Sequence, residues 1–107
     1  MAMQFRGGIN ELMKQAAWVQ RKMEDAQRAN KDRAVTVTGA NDKVKVTVNL
    51  GREVTRIEVD PEFYANDRDF TLDAIVGTLN AALKQAQEEM DKEVTKATGG
   101  LKPPMMP

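Results

Sequence analysis

Trp18 stands among cations in the first third of the chain, where its ring could take part in binding chemistry. Lys14 and Lys22 lie four residues before and after it, and Arg21 lies three residues after it. In a helix these spacings gather the cations around the indole ring, and such a ring can stack on bases beside phosphates. Trp18 lies about 200° around the helix from Ala16, so it should project away from the core. The alternative is a packing surface for a dimer partner or a neighbouring dimer.

Residue types needed for catalysis are missing or badly arranged. The chain has no histidine and no cysteine, which removes disulfides, thiolate nucleophiles, the common zinc ligands and the usual general base near neutral pH. Two pairs of carboxylates stand in polar surroundings, and we expect them to lie on solvent-exposed helix faces: Glu88 with Glu89, and Asp67 with Asp69. The sequence therefore predicts no enzyme, no metal, no cofactor and no small-molecule substrate.

Charge is distributed unevenly along the chain. Lys plus Arg and Asp plus Glu are equal at 16 each, yet residues 1–33 hold seven basic against four acidic side chains. Residues 61–98 hold four basic against eight acidic side chains. Attraction to a polyanion must therefore come from local faces, mainly in the first third.

Residues 10–33 predict a long helix, with Gly8 or Asn10 as its N-cap. Apolar residues recur at alternating spacings of three and four, as in the seam of a coiled coil. A helix of roughly 24 residues is about 36 Å long, which exceeds the width of most domains of this size. The seam consists of Ile9, Leu12, Ala16, Val19, Met23 and Ala26, with Met13 beside it.

From Ala34 onward the apolar period changes to two, which predicts three strands in an antiparallel meander. The segments are "AVTVTG", "KVKVTVNL" and "EVTRIEV". In the third, Thr55, Ile57 and Val59 share one parity. Asp60-Pro61 ends this strand.

A connector with room for one helical turn follows, and Asp67 or Asp69 could cap a second long helix that begins near Phe70. Gly99 suits the C′ position at its end. Residues 1–98 are predicted as a single domain, and residues 99–107 as a flexible tail rich in Gly, Pro and Met. No segment approaches the roughly 20 apolar residues of a membrane span, so we expect a cytoplasmic protein without membrane contact.

The fold class is therefore α+β, with an α-β-β-β-α protomer. Three strands of about six residues span about 20 Å, whereas each helix exceeds 30 Å, so apolar seams stay exposed in a monomer. We infer a homodimer packed across a two-fold axis. The expected dimer or assembly contacts are Leu12, Val19, Met23, Trp18, Leu79, Leu83 and Met90.

The chain resembles the YbaB/EbfC family of small nucleoid-associated proteins of bacteria over nearly its whole length. The resemblance rests on "LMKQA", "VTG" followed by "VKVTVN", "IEVDPEF", "LNAAL", "EEM" and the Gly-Gly end. It implies a dimer that binds duplex DNA through its two long helices and organises the chromosome or modulates transcription at the nucleoid. Carried onto this sequence, it points to Lys14, Arg21, Lys22, Arg28, Lys31, Lys84, Lys92 and Lys96 as DNA-binding residues.

Two features of the chain support a different hypothesis. Its net charge is zero, and Trp18 is expected to face outward. The alternative is a non-enzymatic scaffold whose helices recruit another protein, such as a DNA-repair or replication component.

Overall fold

The computed structural model describes residues 2–101, with side chains described from residue 8 onward. Three strands lie between long helices, and a short helix occupies the connector, so the predicted α+β fold with α-β-β-β-α order is confirmed. The predicted tail lies outside the described residues from position 102 onward. The elements are α1 (Ala2–Asn30), β1 (Ala34–Gly39), β2 (Val44–Asn49), β3 (Val54–Val59), α2 (Pro61–Asn66) and α3 (Arg68–Ala97).

The first helix begins earlier than its sequence pattern predicts. It starts at Ala2, so Gly8 and Asn10 both lie inside α1 and the prediction that one of them is the N-cap is wrong. Good helix formers on both sides offset the cost of about 1 kcal/mol for a glycine in a helix interior. The helix also ends at Asn30, short of the predicted residue 33, in a turn where the Arg33 N–H donates to the Asn30 carbonyl.

The three strands form an antiparallel sheet in the order β1-β2-β3. Val46 of β2 lies opposite Val37 of β1 and Ile57 of β3, so these side chains share one face of the sheet. Helix α3 packs on this face over β1 and β2. The buried core between α3 and the sheet consists of Val35, Val44, Val46, Val48, Leu50, Ala82 and Ala86.

A register shift near Thr47 and Val48 corrects the predicted face of β3. Val48 pairs with Val54, whereas Thr47 pairs with Arg56, so Thr55 is the extra residue of a bulge. Val54 therefore joins the apolar face in place of Thr55. The Thr55 hydroxyl instead donates a hydrogen bond to the Thr47 carbonyl at 3.2 Å.

The predicted ends of the second long helix are confirmed within two residues. The Asp67 side chain accepts a hydrogen bond from the Phe70 N–H at 2.9 Å and is the N-cap of α3. At the other end Thr98 is the C-cap, and Gly99 adopts φ +64°. The N–H of Gly100 donates to the Thr95 carbonyl, which completes a Schellman motif.

Helix α1 packs against α3 along only part of its length. Val19 and Ala26, in the C-terminal half of α1, are buried, whereas Ile9 and Leu12 are each 53% exposed. The protomer is accordingly elongated, with extents of 73 × 23 × 16 Å. The observation agrees with the expectation that one small sheet cannot cover two long amphipathic helices.

Candidate nucleic-acid interface

Three cations of α1 lie in a line along the helix. Lys14, Arg21 and Arg28 recur every seven residues, which places them on one face of a helix at intervals of about 10 Å. The buried Val19 and Ala26 lie on the other side of the helix, against α3. We refer to Lys14, Arg21, Arg28 and the adjacent Lys22 as the cationic face. The seven-residue spacing of these cations is visible in the sequence, but acidic residues between them make it hard to recognise.

The cations of α1 differ in whether a carboxylate neutralises them. Arg28 forms an ion pair with Asp25 one turn away, at 2.5 Å. Within residues 8–101, Lys14, Arg21, Lys22 and Lys31 have no carboxylate oxygen within 4.0 Å. All four side chains are exposed, so their positive charge faces solvent and can meet an anion.

Trp18 lies beside the cationic face and is partly open to solvent. Its side chain is 38% exposed, in agreement with the expected outward direction. The Lys22 Nζ stands 5.8 Å from the centroid of the indole ring, within the range of a cation–π contact. Glu11, Lys14 and Arg21 border the same shallow hollow on the helix. The indole ring of Trp18 is therefore an exposed apolar surface surrounded by charged side chains.

The cations of α3 are largely engaged with neighbouring carboxylates. Lys92 lies 3.8 Å from Glu89, and Lys96 lies 3.0 Å from Glu93. Arg33 reaches both acids, at 2.7 Å to Glu89 and 3.3 Å to Glu93. The hydrogen bond from Lys96, with a further contribution from Arg33, holds the pKa of Glu93 below its ordinary value. These acids compete with any phosphate for Lys92 and Lys96.

Lys84 is the exception among the α3 candidates. Its side chain is exposed and has no carboxylate within 4.0 Å in the described part of the chain. Lys84 is therefore the cation of α3 that is least engaged with carboxylates, whereas the cationic face of α1 supplies three cations that are unpaired within residues 8–101, Lys14, Arg21 and Lys22.

The residues predicted to make dimer or assembly contacts divide into three groups. Leu12 and Trp18 are exposed. Met23, Leu79, Leu83 and Met90 are half-buried, and the last three pack against the core. Val19 is 1% exposed within the protomer, so its side chain has little surface left for a partner.

Further uncovered apolar side chains lie on β3 and on the N-terminal half of α3. Val54 and Ile57 are on the sheet face that α3 covers over β1 and β2, yet each is 44% exposed. On α3, Leu72 and Val76 are exposed in the same way. We refer to these four residues as the β3–α3 surface. The sequence placed Ile57, Leu72 and Val76 in apolar stripes, but it did not show that α3 would leave β3 bare.

The described residues hold no group of three or more His, Cys, Asp or Glu side chains arranged to bind a metal ion. In the same part of the chain, none of the helices combines the length and apolar character needed to cross a lipid bilayer.

Comparisons with known proteins identify relatives that match nearly the whole chain. A nucleoid-associated protein of Clostridium acetobutylicum is 38% identical over 99 residues, which cover 92% of this chain and 88% of the relative. A nucleoid-associated protein of Anaeromyxobacter dehalogenans is also 38% identical, over 90% of this chain and 94% of the relative.

A solved structure shares the fold at lower identity. The crystal structure of an uncharacterized protein from Helicobacter pylori matches with a TM-score of 0.61 and 19% identity, over 68% of this chain and 86% of that one. The model of the YbaB/EbfC DNA-binding family matches residues 5–101. The chain therefore belongs to the YbaB/EbfC DNA-binding family.

Proposed function

We propose that the protein is a homodimer that holds duplex DNA mainly through backbone phosphates, and that it organises the chromosome or modulates transcription at the cytoplasmic nucleoid. The observation that carries the proposal is the cationic face of α1, in which Lys14, Arg21 and Lys22 lack carboxylate partners among the described residues. Exposed cations in a line suit the regularly spaced charges of a duplex. Membership of a DNA-binding family supports the same partner.

Binding of this kind depends steeply on salt. Each phosphate that a cation neutralises releases condensed counterions, and the logarithm of the binding constant falls by about 0.9 per contact for each decade of salt. If a dimer engages roughly six phosphates, the slope is about −5. Contacts to backbone phosphates fix the position of the duplex but carry little sequence information, so we expect weak sequence preference.

The β3–α3 surface is the part of the protomer that we assign to the dimer. Val54, Ile57, Leu72 and Val76 are exposed apolar side chains beside the half-buried Leu79. Burial of such side chains against a second copy removes apolar surface from water, which favours association. A two-fold axis at this surface would present two cationic faces to one duplex.

Replacement of the cationic face with glutamine tests the DNA-binding proposal. We expect a variant with Lys14, Arg21, Lys22 and Arg28 changed to Gln to lose retention of duplex DNA in gel-shift assays at low salt. Its dimer should persist in sedimentation, because these side chains are exposed and are not part of the β3–α3 surface. No retention of duplex by the unaltered protein at low salt, or binding insensitive to salt, would contradict the proposal.

A matched control removes four cations elsewhere. Lys43, Lys45, Arg56 and Arg68 each contact a carboxylate and lie outside α1. Their replacement by Gln changes the net charge by the same amount as the first variant. The control variant should retain most of its affinity for the duplex if the cationic face, rather than total charge, carries binding.

A second candidate function rests on the exposed apolar end of α1. Ile9 and Leu12 are each 53% exposed, and Met13 is 65% exposed, a seam that another protein could cover. The chain would then be a scaffold for a protein such as a DNA-repair or replication component. Under this alternative, neutralising the cationic face leaves function unchanged, and replacing Leu12 and Met13 with polar residues abolishes it.

A further inference from the structure

A basic cleft lies apart from the line of cations on α1, where three elements meet. It is an open hollow of about 470 Å³ between the last turns of α1, the β2–β3 turn and α3. Arg28 of α1, Lys31 just after α1 and Arg52 of the β2–β3 turn line it, and the apolar side chains of Leu50 and Met90 border it. Three cations around one cleft indicate an anionic ligand.

The β2–β3 turn is held firmly against the end of α1. The Gly51 N–H donates to the Lys31 carbonyl at 2.9 Å, and the Leu50 N–H donates to the Arg33 carbonyl at 3.0 Å. These bonds place Arg52, the next residue in the turn, beside Lys31. A Cβ at Gly51 would stand 3.3 Å from the Lys31 carbonyl oxygen, so the two segments are in close contact.

The conformation of the turn is fixed by a buried asparagine. The Asn49 side chain accepts a hydrogen bond from the Glu53 N–H at 2.9 Å and donates one to the Glu53 carboxylate at 3.0 Å. Arg52, between them, adopts φ +65°, a region that costs a non-glycine residue free energy. The bonds of Asn49 keep Arg52 in this conformation and occupy the carboxylate that is nearest in sequence. The fixed backbone defines the position from which the Arg52 side chain leaves the turn.

Charge in the cleft remains positive after internal pairing. Arg28 is bonded to Asp25, and Glu24 also lines the cleft. Lys31 and Arg52 have no carboxylate within 4.0 Å among residues 8–101. These two side chains, one from the turn after α1 and one from the β2–β3 turn, line the same cleft and are free to bind an anion.

We propose that Lys31 and Arg52, with Arg28 at the edge, form a binding site for one phosphate group. Its source is either the backbone of DNA, in which case the site rests on the function proposed above, or a free nucleotide. A guanidinium group donates two parallel hydrogen bonds to phosphate oxygens, and a lysine adds a point charge. The apolar side chains of Leu50 and Met90 at the border of the cleft could contact the sugar or base attached to that phosphate.

The variant Arg52→Gln tests the site, with Arg56→Gln as its matched control. Arg56 is 71% exposed on β3 and is paired with Glu58 outside the cleft. We expect Arg52→Gln to weaken duplex binding by roughly three- to tenfold and to reduce the salt slope by about 0.9 for each lost contact. The control should change neither value. Equal effects of the two variants would overturn the DNA backbone as the source.

Nuclear magnetic resonance titrations distinguish the two sources. The amides of Gly51 and Arg52 are followed in the unaltered protein with a 20-base-pair duplex, with dAMP and with deoxyadenosine, which lacks the phosphate. Shifts with the duplex assign the DNA backbone. Shifts with dAMP, but not with the duplex or deoxyadenosine, assign a free nucleotide.

Absence of shifts with both the duplex and dAMP overturns the site. If the duplex binds and leaves these amides unchanged, and dAMP has no effect, the site is wrong and the proposed DNA-binding function stands. If the duplex does not bind at all while dAMP shifts the amides, the site stands and the proposed function fails.

Discussion

Gly39 at the end of β1 lies directly against Thr78 of α3, so close that a Cβ on residue 39 would overlap the Thr78 hydroxyl oxygen. The Thr78 hydroxyl donates to the Ala74 carbonyl at 2.8 Å and is buried. We expect Gly39→Ala to destabilise the fold by about 1–3 kcal/mol, because the side chain or the strand must shift. Urea unfolding followed by circular dichroism measures the change.

Gly77, the neighbour of Thr78 in α3, supplies the matched control. A Cβ at this position meets no atom within 4 Å. Gly77→Ala should therefore stabilise the helix by about 0.5–1 kcal/mol, since alanine loses less conformational entropy than glycine. Similar losses in both variants would show that the contact between residues 39 and 78 is not the cause.

Trp18 is the single tryptophan of the chain, so its fluorescence reports on one site. If the cationic face binds duplex DNA, we expect the emission of Trp18 to be quenched or shifted on titration, because bases or phosphates displace water around a ring that is 38% exposed. The titration should be repeated with Lys14, Arg21 and Lys22 changed to Gln. Loss of the signal in that variant ties it to the cations, whereas an unchanged signal would contradict the assignment.

One substitution in each of two exposed apolar surfaces tests which surface forms the dimer interface. Val76, 58% exposed on α3, belongs to the β3–α3 surface, and Met13, 65% exposed on α1, does not. We expect Val76→Glu to give a monomer in sedimentation at micromolar concentration, because a second copy would bury the introduced charge. Met13→Glu should remain a dimer. The reverse outcome would place the interface on α1.

Asp60 gives the fold a defined response to acid. The Phe63 N–H, followed by the Glu62 N–H and the charge of Lys43, holds the pKa of Asp60 below its ordinary value of 3.8, although desolvation opposes them. A lowered pKa in the folded state means that the ionised group stabilises the fold above the unfolded value. This contribution is lost as the pH falls through the folded pKa.

Asp60→Asn keeps an oxygen that can cap α2 but cannot ionise. We expect the stability difference between the unaltered protein and Asp60→Asn to shrink as the pH falls below about 4. Thermal unfolding between pH 7 and pH 2 would show this convergence, and a difference that is independent of pH would contradict the role of the charge. The threshold of about pH 4 corresponds to the ordinary pKa of an aspartate carboxyl group.

The sequence predicted the elements well because their periodic patterns were strong. Alternating valines identified β1 and β2, and Asp67 and Gly99 marked the two ends of α3. The prediction failed at the start of α1, where it gave a single glycine more weight than the helix formers around it. Gly8 looked like a helix boundary, yet the helix formers on both sides carry α1 through it.

The candidate site was less predictable than the fold, since it depends on how elements lie together. Asn49 has the parity of a solvent-exposed residue, but it is buried because its side chain organises the β2–β3 turn. Arg52 was not a candidate, because its proximity to Lys31 arises from contact between two turns that are far apart in sequence. By contrast, the pairing of Lys92 with Glu89 and of Lys96 with Glu93 follows from their spacing of three residues on a helix, which the sequence does show.

Because α3 covers only part of α1, the backbone amides in the two halves of α1 should differ in their protection from hydrogen exchange. Around Ile9 and Leu12 the backbone hydrogen bonds have little tertiary packing to support them, and isolated helical segments of this length are marginal in water. Around Val19 and Ala26, packing on α3 supports the same bonds. Deuterium uptake should therefore be fast in the first half of α1 and slow in the second, and any molecule that covers the first half will slow its exchange.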